Sequence, residues 1–456
     1  MGLDPALNLL NGNGFTSQIW GHPGSETLFL AYLPLQGLVH FINQSILPFD
    51  IYWVRFPWAI YLLIGALIVY KTFKKGGVET AIALLATVLI LNEKSLFETT
   101  RGVRIESLIF LIISSIWYCK IKEWKVFQAF LSSTLLIAHP NVWPIALVFF
   151  LDASFNYNNS KLLKYKIKPN PLWLFPIIIL IGYLFFINFD IELWKSQFLF
   201  QGENHKASSN FLTKIYDHLI TRFWPYYKTQ PWVPSIIYIA LFLSVKGLIK
   251  RRTSTLQMAL LLTHFVWFII LGPYHRYNNI LFYISVFYLV KSINLKPINL
   301  KNPKLVLVSI ILLLLTSVDV ASRHGIAILQ RDVRNPYPAI EWIKQNLSNE
   351  ATLVAGHNIA YYATAETKTD YLLHNEKPYK FNFDQYSAFV IIADKQLNIK
   401  GLNLKSEYES TSVFEKKLKL QINKPTYRNL YYYKTNNKAI FNESLLFLNS
   451  TNTKVR

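Results

Sequence analysis

Long apolar segments separated by short basic loops fill the first 320 residues, and they constrain the fold more than any other feature. Charged residues make up only 16% of the chain, whereas a soluble domain usually carries about 25%. Apolar runs of this length with so little charge are typical of helices that cross a lipid bilayer. The sequence therefore predicts an all-α polytopic membrane domain of about ten transmembrane helices.

The apolar segments are separated clearly enough to be placed along the chain. Eight of them are 52–70, 78–92, 105–119, 171–189, 231–249, 255–272, 278–293 and 305–321. A further stretch, 126–152, is interrupted at His139-Pro140 and has lysines on both sides, so it predicts a hairpin of two helices. Segment 28–47 mixes polar with apolar residues and predicts a helix that lies on the outer membrane surface.

The basic residues predict the orientation of the chain. Lysine and arginine are absent from residues 1–54 and then cluster at 71–75, 120–125, 161–168, 246–252 and 291–304. Cytoplasmic loops carry an excess of these residues, and the clusters fall in every second loop. The N-terminal segment and the C-terminal region are therefore predicted to lie outside the cytoplasm, with the chain in the plasma (inner) membrane of the cell envelope. The net charge is +21, but many of the lysines sit in these short clusters between apolar segments, which argues against a nucleic-acid partner.

The C-terminal part has the pattern of a small α/β domain. Residues 338–347 predict a short helix, and four runs predict strands. These runs are 352–355, 388–393, 417–422 and 430–433. Together these patterns predict three domains in the whole chain. The first, 1–51, is an extracytoplasmic segment with an interfacial helix. The second, 52–321, is a multi-helix membrane domain with an outer loop at 190–230, and the third, 322–456, is an extracytoplasmic α/β domain.

Charged and histidine side chains at the outer ends of the spans are the candidate functional residues, because charge is costly to place there. They are Asp4, His22, Glu26, Arg101, Arg104, Glu106, His275 and Arg276, and Tyr277 joins them because it belongs to the same outer turn, His275-Arg276-Tyr277. A metal site built from Glu203, His205 and His275 is an alternative that no ligand spacing supports. The sequence therefore predicts no metal site from these residues, and it leaves open whether the protein uses a divalent cation as a cofactor.

Several short motifs resemble the GT-C fold membrane glycosyltransferases, the superfamily of the protein O-mannosyltransferases and the lipid A aminoarabinose transferases. The motifs are Leu3-Asp4-Pro5-Ala6, the polar run Asn11-Gly12-Asn13-Gly14, Val54-Arg55-Phe56-Pro57 and Arg104-Ile105-Glu106. Members of that superfamily carry an acidic residue after their first transmembrane helix. The resemblance therefore implies a chain that lacks this first helix. Many relatives carry a second acid directly beside the first, where this chain has Pro5.

The resemblance implies transfer of a sugar from a polyprenyl-phosphate donor to a glycan, lipid or protein acceptor outside the cytoplasm, with inversion. It implies Asp4 as the general base, with Glu106 as the second catalytic carboxylate. Arg101, Arg104 and Arg276 would offset the charge of the leaving phosphate. The remaining donor-site candidates are His22, Glu26, His275 and Tyr277.

Each assignment has a structural alternative. For Asp4, the alternative is a helix N-cap or an ordinary polar terminus. For Glu106, it is a structural ion pair with Arg101 or Arg104. For Arg276, it is an interfacial anchor.

Two other functional classes compete with the transferase. A transporter, or a flippase of lipid-linked sugars, favours charges midway through spans and internal repeats, whereas this chain concentrates its charges at one predicted membrane face and has no detectable repeat. A sensor or assembly scaffold would explain the C-terminal domain but not the clustered outer acids and arginines.

The alternation of lysine clusters yields a topology prediction. Reporter fusions after Lys75, Lys168 and Arg252 are expected to report the cytoplasm, and a fusion after Asn449 is expected to report the outside. Paired alkaline-phosphatase and green-fluorescent-protein fusions measure both outcomes. A cytoplasmic signal after Asn449 would reverse the side on which the candidate site lies.

Overall fold

A computed structural model of the chain describes most of its residues. The described residues are 3–17, 28–30, 32–155, 171–203, 210–250, 254–270, 277–292, 316–318, 322, 325, 328, 334–347, 352–356, 359–367, 369–373, 384, 386–394, 396–400, 402–409 and 429–453. The chain divides into two compact units. Unit 1 comprises Met1–Leu7 and Leu30–Val320, and unit 2 comprises Asn8–Phe29 and Ala321–Arg456.

The structure is mostly helical before residue 320. The first helices are α1 (Leu3–Leu10), α2 (Leu35–Ile46), α3 (Ile51–Lys75), α4 (Thr80–Leu91), α5 (Lys94–Arg101), α6 (Glu106–Ile121), α7 (Lys125–Thr134) and α8 (Trp143–Phe155). They are followed by α9 (Leu174–Phe186), α10 (Ile191–Glu203), α11 (Phe211–Leu219), α12 (Trp224–Thr229), α13 (Trp232–Ile249), α14 (Thr255–Ile270) and α15 (Asn278–Ser292).

Carboxylates determine where three of these helices begin. The side chains of Asp50, Glu79 and Glu93 accept hydrogen bonds from the first free backbone N–H groups of α3, α4 and α5. These N–H groups have no partner within the helix, and a negative charge there also suits the helix dipole. An acid placed directly before the helix therefore starts each of the three.

Helices α3 and α6 pack side by side and run in the same direction. A Cβ atom on Gly65 would lie 2.7 Å from Cδ1 of Phe110, so glycine is needed for this approach. Further along both helices, the ring centroids of Phe73 and Trp117 are 5.1 Å apart. Glu106 therefore lies about ten residues, or roughly 15 Å, beyond the first residue of α3.

The predicted hairpin at 126–152 is confirmed. Helices α7 and α8 are separated at His139-Pro140 by single 3-10 turns. Gln128 Nε2, near the start of α7, donates to the carbonyl of Phe149, near the end of α8, at 2.9 Å. The two helices are therefore antiparallel, and His139 lies at the tip of the hairpin.

Helix α15 is the central helix of unit 1. All of its residues from Asn278 to Tyr288 are buried, and it packs against α4, α5, α13 and α14. A helix that is buried on every side has no face left for solvent or lipid. The apolar character of segment 278–293 therefore reflects packing among helices.

The predicted number of about ten transmembrane helices is wrong for the described residues. Two helices, α3 and α13, are long and apolar enough to cross a membrane. A third span results if Pro171–Phe186 and Ile191–Leu199, which meet at an angle of 92°, are counted as one broken helix. Several of the other apolar segments form helices of 10–17 residues, or about 15–25 Å, whereas a bilayer core is about 30 Å thick. An apolar run predicts burial, but it does not reveal whether lipid or neighbouring helices cover it. The predicted span at 305–321 lies outside the described residues except for 316–318.

Helix α2 lies within segment 28–47 and has an unusual distribution of side chains. It buries Gln36 and His40, whereas Ile42 and Ile46 are exposed. Its Asn43 accepts a hydrogen bond from Tyr61 of α3 at 3.1 Å. An exposed apolar face on a helix that packs its polar face inward is the arrangement that contact with lipid favours.

Unit 2 contains the predicted α/β domain, built on a five-stranded sheet. The strands are β1 (Thr352–Gly356), β2 (Asp370–Leu373), β3 (Ala388–Ala393), β4 (Asn403–Glu409) and β5 (Asn429–Thr435), in the order β2-β1-β3-β5-β4. Strand β1 is parallel to β2 and β3, and β5 is antiparallel to β3 and β4. Helices α16 (Tyr337–Asn346), α17 (Ala360–Thr367) and α18 (Lys438–Thr453) complete the described part.

The buried strands were the predictable ones. Strands β1 and β3 are buried at every position, as parallel central strands are. They confirm the predictions at 352–355 and 388–393, as β5 and α16 confirm those at 430–433 and 338–347. The prediction at 417–422 lies outside the described residues. Strand β4 was missed because most of its residues are exposed and polar, which leaves no apolar alternation to detect.

Gly356, the last residue of β1, is expected to tolerate no side chain. Its φ is +117°, and a Cβ atom there would lie 2.0 Å from the carbonyl oxygen of Ile392 in β3. Gly356→Ala should therefore destabilise unit 2 by at least about 2 kcal/mol. Protease resistance of the detergent-solubilised chain, followed with temperature, measures this. Gly325→Ala is the control, because no atom lies within 4 Å of its added Cβ; equal resistance of the two variants would contradict the prediction.

Candidate functional site

A buried ion pair occupies the start of α6. The Glu106 side chain is 1% exposed, and Arg104 Nε donates to its two carboxylate oxygens at 2.8 and 3.1 Å. Arg104 Nη2 also donates to Oε1. The fork of donors and the carboxylate match in shape, which makes such a pair strong and specific in direction.

The turn between α5 and α6 directs Arg104 towards Glu106. Gly102 caps the C-terminus of α5, and its N–H donates to the carbonyl of Glu98 at 3.0 Å. The N–H of Arg104 donates to the carbonyl of Thr99 at 3.0 Å. Between them Val103 has a φ of +54°, a left-handed conformation that a β-branched residue rarely adopts. The neighbouring helix α2 holds this turn, since Gln36 Nε2 donates to the Val103 carbonyl at 3.1 Å.

An aromatic ring and the hairpin tip lie beside the ion pair. The guanidinium carbon of Arg104 is 6.0 Å from the ring centroid of Tyr277, and the Tyr277 hydroxyl is 3.0 Å from His139 Nε2. His139 Nδ1 accepts a hydrogen bond from the N–H of Asn141. A neutral His139 therefore carries its proton on Nε2 and donates it to Tyr277. The network joins α6, the hairpin and the start of α15.

Trp267 of α14 extends this network. Its Nε1 donates to the carbonyl of Asn141 at 3.0 Å, and its ring centroid is 6.4 Å from that of Tyr277. The buried guanidinium of Arg222 lies 5.3 Å from the same indole. The starts of α6 and α15, helix α14, the hairpin tip and the turn between α11 and α12 therefore gather charged and aromatic groups at one end of unit 1. We call these residues the Glu106 layer: Arg104, Glu106, His139, Arg222, Trp267 and Tyr277.

A second buried acid, Glu93, lies between α4 and α5. It is fully buried and accepts hydrogen bonds from the backbone of Ser95 and Leu96, at 2.9 and 2.6 Å, and from the Tyr226 hydroxyl at 2.7 Å. Burial raises the pKa of the Glu93 carboxyl, and the hydrogen bonds oppose that rise. Gln230 completes the junction by donating to the Asn92 carbonyl at 2.7 Å. This arrangement attaches α12 and the start of α13 to the α4–α5 turn.

The other end of the bundle holds a carboxylate of its own. Asp152, near the end of α8, accepts hydrogen bonds from Lys120 Nζ at 2.5 and 2.6 Å, from Thr255 Oγ1 at 2.6 Å and from Gln128 Nε2 at 2.9 Å. These donors come from α6, α14 and α7. Because Glu106 and Lys120 lie at opposite ends of α6, the Asp152 cluster and the Glu106 layer lie at opposite ends of the bundle.

The structure brings together some of the predicted site residues. Arg104, Glu106 and Tyr277 meet in the Glu106 layer. Asp4 lies in the first turn of α1, where it is half-buried. Arg101 is the last residue of α5, and its side chain is outside the described part. The remaining candidates lie outside the described residues: His22, Glu26, His275 and Arg276.

Other residues of the layer were not predicted as functional. The sequence places His139 at a hairpin kink and Arg222 among the charged residues of the outer loop at 190–230, where the interleaved aromatic rings are predicted as interfacial anchors. Neither Arg222 nor Trp267 was predicted as a site residue. Glu93 had a detectable signal, since Asn92-Glu93-Lys94-Ser95 interrupts two apolar runs.

No group of three or more histidine, cysteine, aspartate or glutamate side chains converges on a common point among the described residues. The alternative metal site predicted from Glu203, His205 and His275 cannot be included in this statement. Its two histidines and the side chain of Glu203 lie outside the described part of the chain. No family model, no curated protein and no solved structure matches the chain. The function must therefore be argued from the geometry of the Glu106 layer.

The buried ion pair generates a stability prediction. Arg104→Ala leaves the Glu106 carboxylate buried without its cation and should destabilise unit 1 by about 3–5 kcal/mol. The double variant Arg104→Ala, Glu106→Gln removes the uncompensated charge and should recover part of that loss. Thermal unfolding of the detergent-solubilised chain measures both variants, with Lys250→Ala as an exposed control. Equal losses in the single and double variants would show that the two residues are not coupled.

Proposed function

We propose that the chain is an integral membrane glycosyltransferase that moves a sugar from a polyprenyl-phosphate donor to an extracytoplasmic acceptor with inversion. The observation that supports this most is the Glu106 layer, in which arginines, a carboxylate and aromatic rings meet inside a bundle of apolar helices. Buried charges of this kind are costly, so they favour a functional site over a purely structural one.

The depth of the layer suits a lipid-linked substrate. Glu106, at the start of α6, lies level with a point roughly 15 Å along α3, a helix long enough to cross a membrane. A polyprenyl chain stays in the hydrocarbon while its phosphate reaches polar groups nearby. Arginine is suited to such a phosphate because its guanidinium is always charged and donates in a fork.

The proposed reaction is a single displacement. The acceptor hydroxyl gives its proton to a carboxylate, and its oxygen forms a bond to the anomeric carbon of the sugar. The bond from that carbon to the phosphate oxygen breaks, and its electron pair leaves with the polyprenyl phosphate. The arginines offset the charge that develops on this leaving group.

Asp4 remains the proposed base, and Glu106 a positioning residue. Both oxygens of Glu106 already accept hydrogen bonds from Arg104, so a proton taken there would weaken the ion pair. Asp4 lies half-buried in α1, ahead of the polar run that resembles the first extracytoplasmic loop of the GT-C enzymes. A carboxylate in this position is suited to accept the proton of an acceptor hydroxyl.

One observation favours the second candidate, a flippase or transporter of lipid-linked sugars. The same recessed position of Arg104 and Glu106 along α3 is where a carrier would bind a head group during transfer across the bilayer. A carrier needs no general base, whereas a transferase does. Substitution of the proposed base therefore distinguishes the two candidates.

Asp4→Asn is expected to lower transfer of a radiolabelled sugar from polyprenyl phosphate by about 10²- to 10⁴-fold while donor binding persists, because the amide keeps the shape but accepts no proton. Membranes that contain the full chain serve for the assay. Asp190→Asn, an exposed acid-to-amide change before α10, is the matched control.

Two results would revise the assignment. Parental transfer by Asp4→Asn together with inactive Glu106→Gln would make Glu106 the base. Parental transfer by both variants would remove these carboxylates from the chemistry.

A further inference from the structure

Helix α9 is apolar and exposed along its whole length. None of its residues, Leu174–Phe186, is fully buried against the rest of the described chain, and the helix contains no charged side chain. Six of its side chains are between 46% and 65% exposed: Leu174, Ile177, Ile178, Leu180, Ile181 and Phe185. Contact with water is unfavourable for an apolar surface of this size, so lipid or another protein must cover it.

Helix α9 runs from the Asp152 end of the bundle to the Glu106 end. At its start, the ring centroid of Trp173 is 5.1 Å from that of Phe150, near the end of α8. The ring centroid of Phe175 is 5.7 Å from that of Phe130 in α7. Helix α9 then packs against the 3-10 turn Leu135–Ile137 at the hairpin tip. Helices α7, α8 and α9 therefore form one layer that reaches from the Asp152 cluster to the hairpin tip.

An elbow separates α9 from α10, and the two helices meet at an angle of 92°. Between them, Asn188 and Phe189 have φ values of +51° and +58°, a left-handed conformation that ends a helix and that a phenylalanine rarely adopts. Asp190 then caps α10, because its Oδ1 accepts a hydrogen bond from the N–H of Leu193 at 2.8 Å. The chain therefore turns at a defined point and does not continue as one straight helix.

The side chains of α10 are distributed as in a helix that lies on a membrane. Gln197 faces the protein, since it is fully buried and its Oε1 accepts from the N–H of Leu30 at 2.7 Å. At 100° per residue, one flank of the helix is apolar and the other is polar. The apolar flank contains Trp194, Phe198 and Ile191, the polar flank contains Glu192 and Ser196, and Lys195 and Leu199 lie between them. Such a helix is suited to the boundary between lipid and water.

Exposed tryptophans mark both ends of the layer. Trp124, before α7, and Trp173, before α9, lie at the Asp152 end, and Trp143 lies just after the hairpin tip. Between these ends, the outward side chains of α7 and α9 are apolar, as Phe127 and Ile178 are. Tryptophan at two boundaries with an apolar band between them is typical of a helix layer in a bilayer.

Lipid suits the exposed side of α9 better than a second copy of the chain. Contacts between helices in a membrane favour small residues and hydrogen-bonding side chains. The exposed side of α9 consists of large aliphatic and phenylalanine side chains with one glycine, Gly182, and an added Cβ there would have no atom within 4 Å. Flexible acyl chains cover such a surface without a matching partner.

We propose that the acyl chains of the bilayer cover α9, and that α10 lies in the plane of the membrane surface at the Glu106 end, among the lipid head groups. The sixteen residues Pro171–Phe186 correspond to about 24 Å, whereas a bilayer core is about 30 Å thick. The bilayer beside α9 is therefore thinner than elsewhere, as expected where an apolar helix is short.

The membrane surface then lies close to the Glu106 layer. Seven residues separate Phe130 from Ile137 at the tip, and eleven separate Phe175 from Phe186. Helix α9 therefore ends about four residues, or roughly 6 Å, beyond the tip that carries His139. A lipid phosphate at head-group level would reach the layer from the α9 side without leaving its leaflet. This last step rests on the proposed function, whereas the lipid contact of α9 and α10 does not.

Spin-label depth in liposomes that contain the full chain tests the proposal. Cys119→Ala removes the single cysteine, and new cysteines carry the label in two matched pairs, Ile178→Cys and Phe185→Cys on α9, and Glu192→Cys and Leu199→Cys on α10. The members of each pair are seven residues apart, on one face and about 10 Å apart along the helix. Depth is measured from the relaxation of each label by oxygen, which concentrates in hydrocarbon, and by a water-soluble nickel chelate.

The two pairs are expected to behave differently. The α9 pair should differ in depth by about 10 Å, with the label at position 178 near the bilayer centre, because α9 crosses the membrane. The α10 pair should lie at one depth, because that helix is at a right angle to α9. Lys250→Cys, an exposed position after α13, is the control for contact with water. Thermal unfolding at the temperature of the Cys119→Ala parent shows that each labelled chain is folded.

Several outcomes would overturn the proposal. A difference of about 10 Å within the α10 pair would show that α10 continues through the membrane. Access of the nickel chelate to position 178 would place α9 in water, and exclusion of both reagents would place a protein, such as a second copy, on α9. The expected depths without any sugar transfer would refute the transferase and leave this proposal intact, whereas transfer with the α10 pair at two depths would do the reverse.

Discussion

A carboxylate inside a bundle of apolar helices needs a cation or hydrogen-bond donors to replace the water it has lost. Glu93 is held by hydrogen-bond donors, and two other buried carboxylates of unit 1 are paired with a cation. Glu106 is paired with Arg104 at one end of α6, and Asp152 is paired with Lys120 at the other. Among the described residues, these two ion pairs form polar layers at opposite ends of α6.

The depth of the Glu106 layer follows from unequal helix lengths. Helix α3 has 25 residues and α6 has 16, and the contact of Gly65 with Phe110 sets their register. The start of α6 therefore lies well inside the length of α3. A head group attached to a lipid can reach such a recessed layer from the bilayer, whereas a soluble substrate would need an opening from the aqueous side. The proposed donor site depends on this geometry.

Much of the architecture could be predicted from local pattern. The hairpin at His139-Pro140 follows from a proline and from lysines on both flanks, and the buried strands β1 and β3 follow from continuous apolar runs. The exposed strand β4 lacks such a pattern and was missed. The number of spans was overestimated because α15 has the apolar sequence of a span but is covered by other helices. Hydropathy measures the preference for leaving water and is indifferent to whether lipid or protein provides the cover.

The sequence by itself determined that the chain is mostly helical and apolar before residue 320, that a small α/β domain follows, and that Arg104 and Glu106 stand close enough to pair. These properties depend on neighbours in the chain, so local composition and spacing are sufficient to reveal them. Only the tertiary structure decided that Arg222 lies against Trp267, and that Trp267 and Tyr277 connect it to Arg104. Those residues come from α14 and from the turns beside α5, α11 and α15, and their proximity results from the packing of helices far apart in sequence.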